Sequence, residues 1–218
     1  MNSVMSVAAK KKELRRKLLS VLNAYPPEAR QAADEEIRRR VAELPQFQQA
    51  ERLFIFVGDG WEVDTWPLIE AALTAGKQVA VPRCIPIASG MPGVMEACLI
   101  QSRRDLRQTQ PLGLWEPAEG TPVLSPAMID FALIPCVACD KAGMRLGRGG
   151  GYYDRFLAAG GFTKAAVCRQ ALLQEELPVE AHDQRVDYII TEAGLYATRS
   201  PINNKESGNY HGKSVFGV

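Results

Sequence analysis

The 218-residue sequence predicts an α/β fold: a three-layer α/β/α, Rossmann-like domain with a mostly parallel sheet, preceded by an N-terminal helical pair. Three observations carry this prediction. The chain opens with two helical patterns. Beyond them, short apolar runs alternate with helical or loop segments. The first two of those runs bracket a capped helical stretch, and strand, helix, strand at this spacing is a βαβ unit with parallel strands.

Each element has a local reason. The first helix runs from Ser6 to Asn23, where Leu14, Leu18, Val21 and Leu22 form one stripe at about 100° per residue, and Tyr25-Pro26-Pro27 stops it. Pro27 and Glu28 seed the second, which continues to Leu44-Pro45. Strands are expected at Leu53 to Val57, Gln78 to Val81, Phe131 to Ile134, Ala165 to Cys168 and Tyr188 to Ile190. Between the first two, Asp64 caps a helix through Leu73, with Pro67 in its first turn and Gly76 closing it. Val94 to Ile100 adds a strand, and Ser102 to Gly120 reads as a long loop punctuated by Pro and Gly. No repeat or linker divides residues 1–199, which are expected to form one domain. Residues 200–218, rich in Ser, Asn, Gly and Lys without apolar period, read as a disordered tail. Gly212-Lys213-Ser214 in that tail resembles a P-loop ending, but Ser207 stands where the motif needs its first glycine.

Composition excludes several classes. With 26 Lys+Arg against 25 Asp+Glu, 46% hydrophobic and 23% charged residues, the chain is neither disordered nor the strongly basic protein that a dedicated nucleic-acid binder usually is. No run approaches the roughly 18 apolar residues of a membrane span, and Lys10-Lys11-Lys12 follow rather than precede the weakly apolar start, unlike a signal peptide. Five cysteines read as reduced thiols of a cytoplasmic protein. Cys136-Val137-Ala138-Cys139 has the C-x-x-C spacing of a redox pair, but such a pair opens a helix, whereas Asp140 to Gly143 reads as a turn. Structural zinc would want a second pair. The expectation is therefore two small residues finishing a buried strand.

Sheets of this kind bind ligands beyond the carboxyl ends of their strands. One segment there stands out: Arg145-Leu146-Gly147-Arg148-Gly149-Gly150-Gly151-Tyr152-Tyr153-Asp154-Arg155. Four glycines in five positions cost conformational entropy. Close backbone approach or positive φ would justify them, and successive N–H groups leading into a helix suit an anion, phosphate above all. The pattern is neither the dinucleotide fingerprint, since Tyr152 occupies the place of the third glycine, nor a Walker A loop. On the first helix, Lys11 falls within the apolar stripe and Arg15 at its edge, two cations at i and i+4 that suit a polyphosphate.

The glycine segment resembles the R-L-G-x-G-x-G-Y-Y-D hallmark of the 5-formyltetrahydrofolate cyclo-ligase family, also called 5,10-methenyltetrahydrofolate synthetases. Other pieces follow in that family's order: Lys11-x-x-Leu14-Arg15, Glu62-Val63-Asp64-Thr65, Pro82-Arg83, Glu116-Pro117, Leu177-Pro178-Val179-Glu180 in a last helix-to-strand connection, and Val186-Asp187. The resemblance spans roughly residues 8 to 198. It implies ATP-dependent conversion of 5-formyltetrahydrofolate into 5,10-methenyltetrahydrofolate, with ADP and phosphate released. The formyl oxygen takes the γ-phosphoryl group, N10 closes the ring, and phosphate leaves. Such a reaction needs positioning and charge neutralisation rather than a protein nucleophile, in keeping with the lack of a Ser/His/Asp or Cys/His constellation.

Residue roles follow from the same resemblance. Lys11, Arg15 and residues Arg145, Leu146, Gly147, Arg148, Gly149, Gly150, Gly151, Tyr152 and Tyr153 would hold ATP. Arg145, Arg148 and Tyr152 would act on the reacting groups. Glu62 would accept hydrogen bonds from the pterin, with Arg148, Gly149, Gly150, Gly151 and Tyr152 beside the folate, polyglutamylated or not. Asp154 and Asp187 would hold Mg²⁺. Trp61 and Trp115 are candidates to stack on the folate rings, and His182-Asp183 is expected to be a capping or surface pair. The chain departs from the family pattern at Cys84, Cys136, Cys139 and Cys168, where aromatic residues or glycine are common. A monomer or weak homodimer is expected. Two rivals stay open at this point: a phosphate-binding α/β protein without the ligase activity, and an RNA-associated protein using the basic first helices.

Overall fold

The computed structural model describes residues 5–58, 60–86, 93–109 and 113–198; the proposed tail lies outside them. Helix α1, Val7–Ala24, starts where Ser6 caps it by accepting from Ala9 N–H at 3.2 Å. Helix α2, Pro27–Glu43, begins on the proline at N1 and gives way at Leu44 to a short α3, Pro45–Gln49, again begun by a proline. Strand β1, Arg52–Ile55, leads through a loop to α4, Trp66–Thr74, where Asp64 Oδ1 accepts from Trp66 N–H at 3.0 Å. Gly76, at φ 79°, closes that helix. Strands β2 (Gln78–Ile85) and β3 (Val94–Ile100) form an antiparallel pair.

The region expected to be one long loop is more ordered than that. Strands β4 (Leu106–Gln108) and β5 (Trp115–Pro117) pair antiparallel within it, and β6 (Val123–Leu124) joins the edge of β3. Three-residue strands carry too little periodicity to announce themselves; cross-strand pairing makes them. The chain then runs through β7 (Phe131–Pro135), the hairpin β8 (Ala138–Asp140) and β9 (Arg145–Leu146), α5 (Tyr152–Ala158), β10 (Thr163–Val167), β11 (Leu173–Gln174), β12 (Tyr188–Ile190) and β13 (Leu195–Ala197). The expected last helix before β12 is a single 3₁₀ turn, Gln170–Leu172, followed by β11 and a loop.

Strands pair in the order β13-β12-β10-β7-β1-β2-β3-β6, with β12, β10, β7, β1 and β2 mutually parallel. Alternation sorts the side chains into two cores. Leu53, Ile55, Val79, Val81, Phe131 and Leu133 meet α2, α3 and α4 on one face. Phe54, Ala80, Ala132, Ile134 and Ala166 meet α1 and α5 on the other. The N-terminal pair is therefore divided between the two helical layers. Strands buried on both faces read as unbroken apolar runs, which is why they were visible in the sequence.

Candidate active site

Strand β1 is the switch point. The chain leaves it for β2 on one side and returns by β7 on the other, so the carboxyl ends of β1 and β7 open into a crevice. A cleft of about 330 Å³ lies there. Its floor is Phe56 beyond β1, Pro135 and Cys136 at the end of β7, and Val167, Cys168 and Arg169 at the end of β10, while Arg15, Leu19 and Leu22 of α1 close one side. Glu62 and Arg148 bring opposite charges to it, Arg148 Nη2 standing 3.2 Å from Glu62 Oε1.

The loop bearing Glu62 is built tightly. At Gly58 a Cβ would stand 2.1 Å from Val63 O, so the turn-back requires glycine. Thr65 Oγ1 donates to Phe56 O and accepts from Gly58 N–H. Arg169 anchors the same loop from beneath: it is 3% exposed, pairs with both carboxylate oxygens of Asp34 at 2.9 Å, and donates to Trp61 O and Glu62 O at 2.7 and 3.0 Å. Neither Asp34 nor Arg169 was singled out from the sequence. Each looks like an ordinary charge there, and only the fold brings the two together across 135 residues. Trp61 lines the cleft, whereas Trp115 on β5 lies under Arg103 instead.

The glycine segment forms the adjoining rim. Gly149 and Gly151 have φ of 103° and 66°, a conformation that side chains resist. Gly147 leaves room for Arg145 Nη1, which a Cβ would approach to 3.1 Å. Arg15 Nε donates to Gly147 O at 2.7 Å, and its guanidinium lies against Gly149, so α1 and the loop are joined. Arg145 is buried beneath the loop, over the Tyr153 ring, with Nη2 on Asp154 Oδ1 at 2.7 Å. Its Nε is buried without a hydrogen-bond partner, an unusual cost. Because α5 spans only seven residues, the loop's backbone and these arginines, more than a helix dipole, make the rim attractive to an anion.

Other expected site residues stand farther from the cleft. Tyr152 packs under Arg155 and against Gly93, and Tyr153 packs on Phe54; burial, with Glu62 nearby, pushes the Tyr153 phenol well above its ordinary value. Lys11 is buried with its ammonium on Glu180 Oε2 at 2.8 Å and on both Asp183 oxygens at 2.8 and 2.6 Å. Burial alone would lower its pKa, but Asp183 and Glu180 outweigh it and raise it. His182 and Asp183 are therefore not a detached surface pair: Asp183 is the lysine's partner, with His182 exposed beside it. Asp154 also accepts from Gln184 N–H at 3.3 Å. Asp187 sits at the amino end of β12, its Oδ2 accepting from Lys164 N–H at 2.9 Å, on the side of the sheet away from the cleft.

A family model, the 5-formyltetrahydrofolate cyclo-ligase family, matches residues 7–192. The chain belongs to that family. The cyclo-ligase of Mycolicibacterium smegmatis is 30% identical over 198 residues, covering 87% of this chain and 97% of that protein. The Escherichia coli cyclo-ligase is 30% identical over 180 residues, covering 79% and 95%. The solved structure of Aquifex aeolicus 5,10-methenyltetrahydrofolate synthetase superposes with a TM-score of 0.75 at 29% identity, covering 92% of this chain and 98% of that one. Membership in the cyclo-ligase family extends over both helical layers and the whole parallel sheet. Among the described residues no helix is long and apolar enough to cross a membrane.

Proposed function

We infer that this chain catalyses the ATP-dependent cyclisation of 5-formyltetrahydrofolate to 5,10-methenyltetrahydrofolate, releasing ADP and phosphate. The observation that carries it is the Arg15–Gly147 junction: a family-matched glycine rim fastened to the edge of a cleft whose acid is Glu62. A largely apolar cleft whose described lining carries one carboxylate, Glu62, suits a pterin, whose amidine-like edge can give that carboxylate two hydrogen bonds. Glu62 would leave Arg148 to accept them, freeing the half-exposed arginine for phosphate.

The chain's own groups supply positioning. The backbone of Gly149 to Gly151, with Arg15, Arg148 and the open Nε of Arg145, holds the polyphosphate and neutralises charge that gathers on the transferring group. The formyl oxygen attacks γ-phosphorus, ADP departs, N10 adds to the activated carbon and releases its proton to solvent, and phosphate leaves with the formyl oxygen. Tyr152 and Tyr153 hold the rim to the sheet. Lys11 reaches the nucleotide only by giving up Glu180 or Asp183, so we assign it the placement of α1 first and ATP contact second.

For Mg²⁺ the donor set fits at Asp154, a hard carboxylate beneath the rim and already set against a cation, Arg145. When bound, the ion would neutralise phosphate charge. Asp187, held by Lys164 N–H on the far side of the sheet, carries none of this proposal. We further propose that residues 1–199 form the single catalytic domain, acting in the cytoplasm as a monomer or weak homodimer. The test mixes the protein with 5-formyltetrahydrofolate and Mg-ATP and follows the near-ultraviolet absorbance of the methenyl product. No ATP-dependent rise from folded protein would refute the activity.

A further inference from the structure

Three of the five cysteines converge. Cys136 directly follows β7, Cys168 directly follows β10, and these strands pair in parallel with Pro135 opposite Val167, so the two thiols stand side by side. Cys139 returns to them on β8. The three sulfurs all lie within 4.8 Å of one another. Cys136 and Cys139 were expected to be two small residues finishing one buried strand; the fold instead puts Cys139 on β8 and gathers both with Cys168.

We propose that Cys136, Cys139 and Cys168 form a site for one thiophilic d¹⁰ cation, Zn²⁺ or Cu⁺, in the floor of the cleft. Thiolate sulfur selects such ions over Mg²⁺. Three sulfurs about 2.3 Å from one ion stand about 3.8 Å apart, so a slight inward turn of side chains already within 4.8 Å completes the triad. Each remaining thiol proton passes to solvent as its sulfur–metal bond forms, leaving three thiolates on the ion. Cys139 and Cys168 are buried in apolar surroundings, which excludes competing water from that side. Cys136 and Cys168 line the cleft, so a fourth coordination position faces it. The residual negative charge lies near Arg145, whose field reaches Cys136.

This contrasts with the second gathering of metal-binding groups among the described residues, Glu180, His182 and Asp183, whose carboxylates already hold Lys11. The thiol site is independent of the folate assignment, and its test uses neither folate nor nucleotide. The full chain, reduced and then freed of reductant without oxygen, is titrated with Cd²⁺ while the thiolate-to-cadmium absorbance is followed. Zn²⁺ and Cu⁺ are measured separately against chromophoric chelators to tell which ion the site prefers.

Saturation at one cation per chain is expected, with Cys136→Ser weakening affinity at least about tenfold and Cys98→Ala leaving it unchanged. Mass-mapped alkylation of the wild type should show that the cation protects Cys136, the partly exposed thiol of the triad, but not Cys84, a thiol of the same partly exposed class. That map decides the matter should a serine variant fail to fold. No charge-transfer band at stoichiometric metal, unchanged affinity in Cys136→Ser, or protection centred on Cys84 or Cys98 would overturn the proposal.

Discussion

Arg145 concentrates the cost and the use of the site in one side chain. It is buried, one of its donors is answered by Asp154, and another has no partner in the protein. An unanswered buried donor is expensive unless a ligand answers it. Arg145→Lys keeps a cation against Asp154 but removes the planar fork, so turnover should fall by roughly 10²-fold, the usual loss for one transition-state donor. A melting temperature close to wild type would separate this from misfolding, and wild-type turnover would remove Arg145 from the phosphate site. Lys11 makes a different prediction. Its raised pKa means its contribution to stability is complete below the ordinary value of 10.5 and fades as pH climbs through the higher folded value. Asp183 is the converse: burial pushes its carboxyl up, but the Lys11 hydrogen bond, the Glu180 N–H and the charge of Lys11 together outweigh this and hold it below 3.8, so its contribution is present above that value and is lost as pH falls through the lower folded one. Asp183→Asn should therefore cost about 2 kcal/mol, the scale of a hydrogen bond to a charged group, throughout neutral pH. Urea titrations should show wild type and variant converging in acid.

At the scale of elements, the turns are as decisive as the strands. Gly143 closes the β8–β9 hairpin at φ 89°, and a Cβ there would stand 2.7 Å from Val186 O. Gly143→Ala should cost roughly 1–2 kcal/mol from the left-handed backbone alone, with the collision added, whereas Gly161→Ala, with open space and no positive φ, should be nearly neutral. The urea midpoint at unchanged slope is the measurement. This hairpin also marks where sequence legibility ended. The parallel strands were readable because burial on both faces leaves runs such as Phe131-Ala132-Leu133-Ile134, and α1 because Ser6 caps a periodic stripe. The strands β4, β5, β8 and β9 were not, since two or three residues hold no period and their pairing partners are set by tertiary contacts. Within the site, glycine density drew attention to the segment that forms the rim, and Glu62, in the loop after the first strand, lines the cleft. The partners of Lys11 lie 169 and 172 residues away, a proximity that no local pattern encodes.

Across the whole molecule, one ion pair ties the layers to the site. Asp34 on α2 and Arg169 beyond β10 are both almost wholly buried, and Arg169 also holds the carbonyls of Trp61 and Glu62. The outer helical layer, the sheet's carboxyl edge and the loop bearing Glu62 thus share a single guanidinium. Removing one member of a buried pair strands the other without compensation, which typically costs about 3–5 kcal/mol. Asp34→Ala should accordingly lower the melting temperature by roughly 10 °C, at the usual 2–4 °C per kcal/mol for a chain of this size. The double variant Asp34→Leu with Arg169→Met separates two roles. Apolar groups of similar volume can replace a buried pair with little loss, so much of the stability should return. The carbonyl anchors of Trp61 and Glu62 would not return, because methionine donates no hydrogen bond. If the pair positions the substrate loop, the double variant melts near wild type yet has a raised KM for the folate with kcat much less affected. A KM that recovers along with the melting temperature would mean that the pair only holds the layers together and that Glu62 is placed by Gly58 and Thr65 alone.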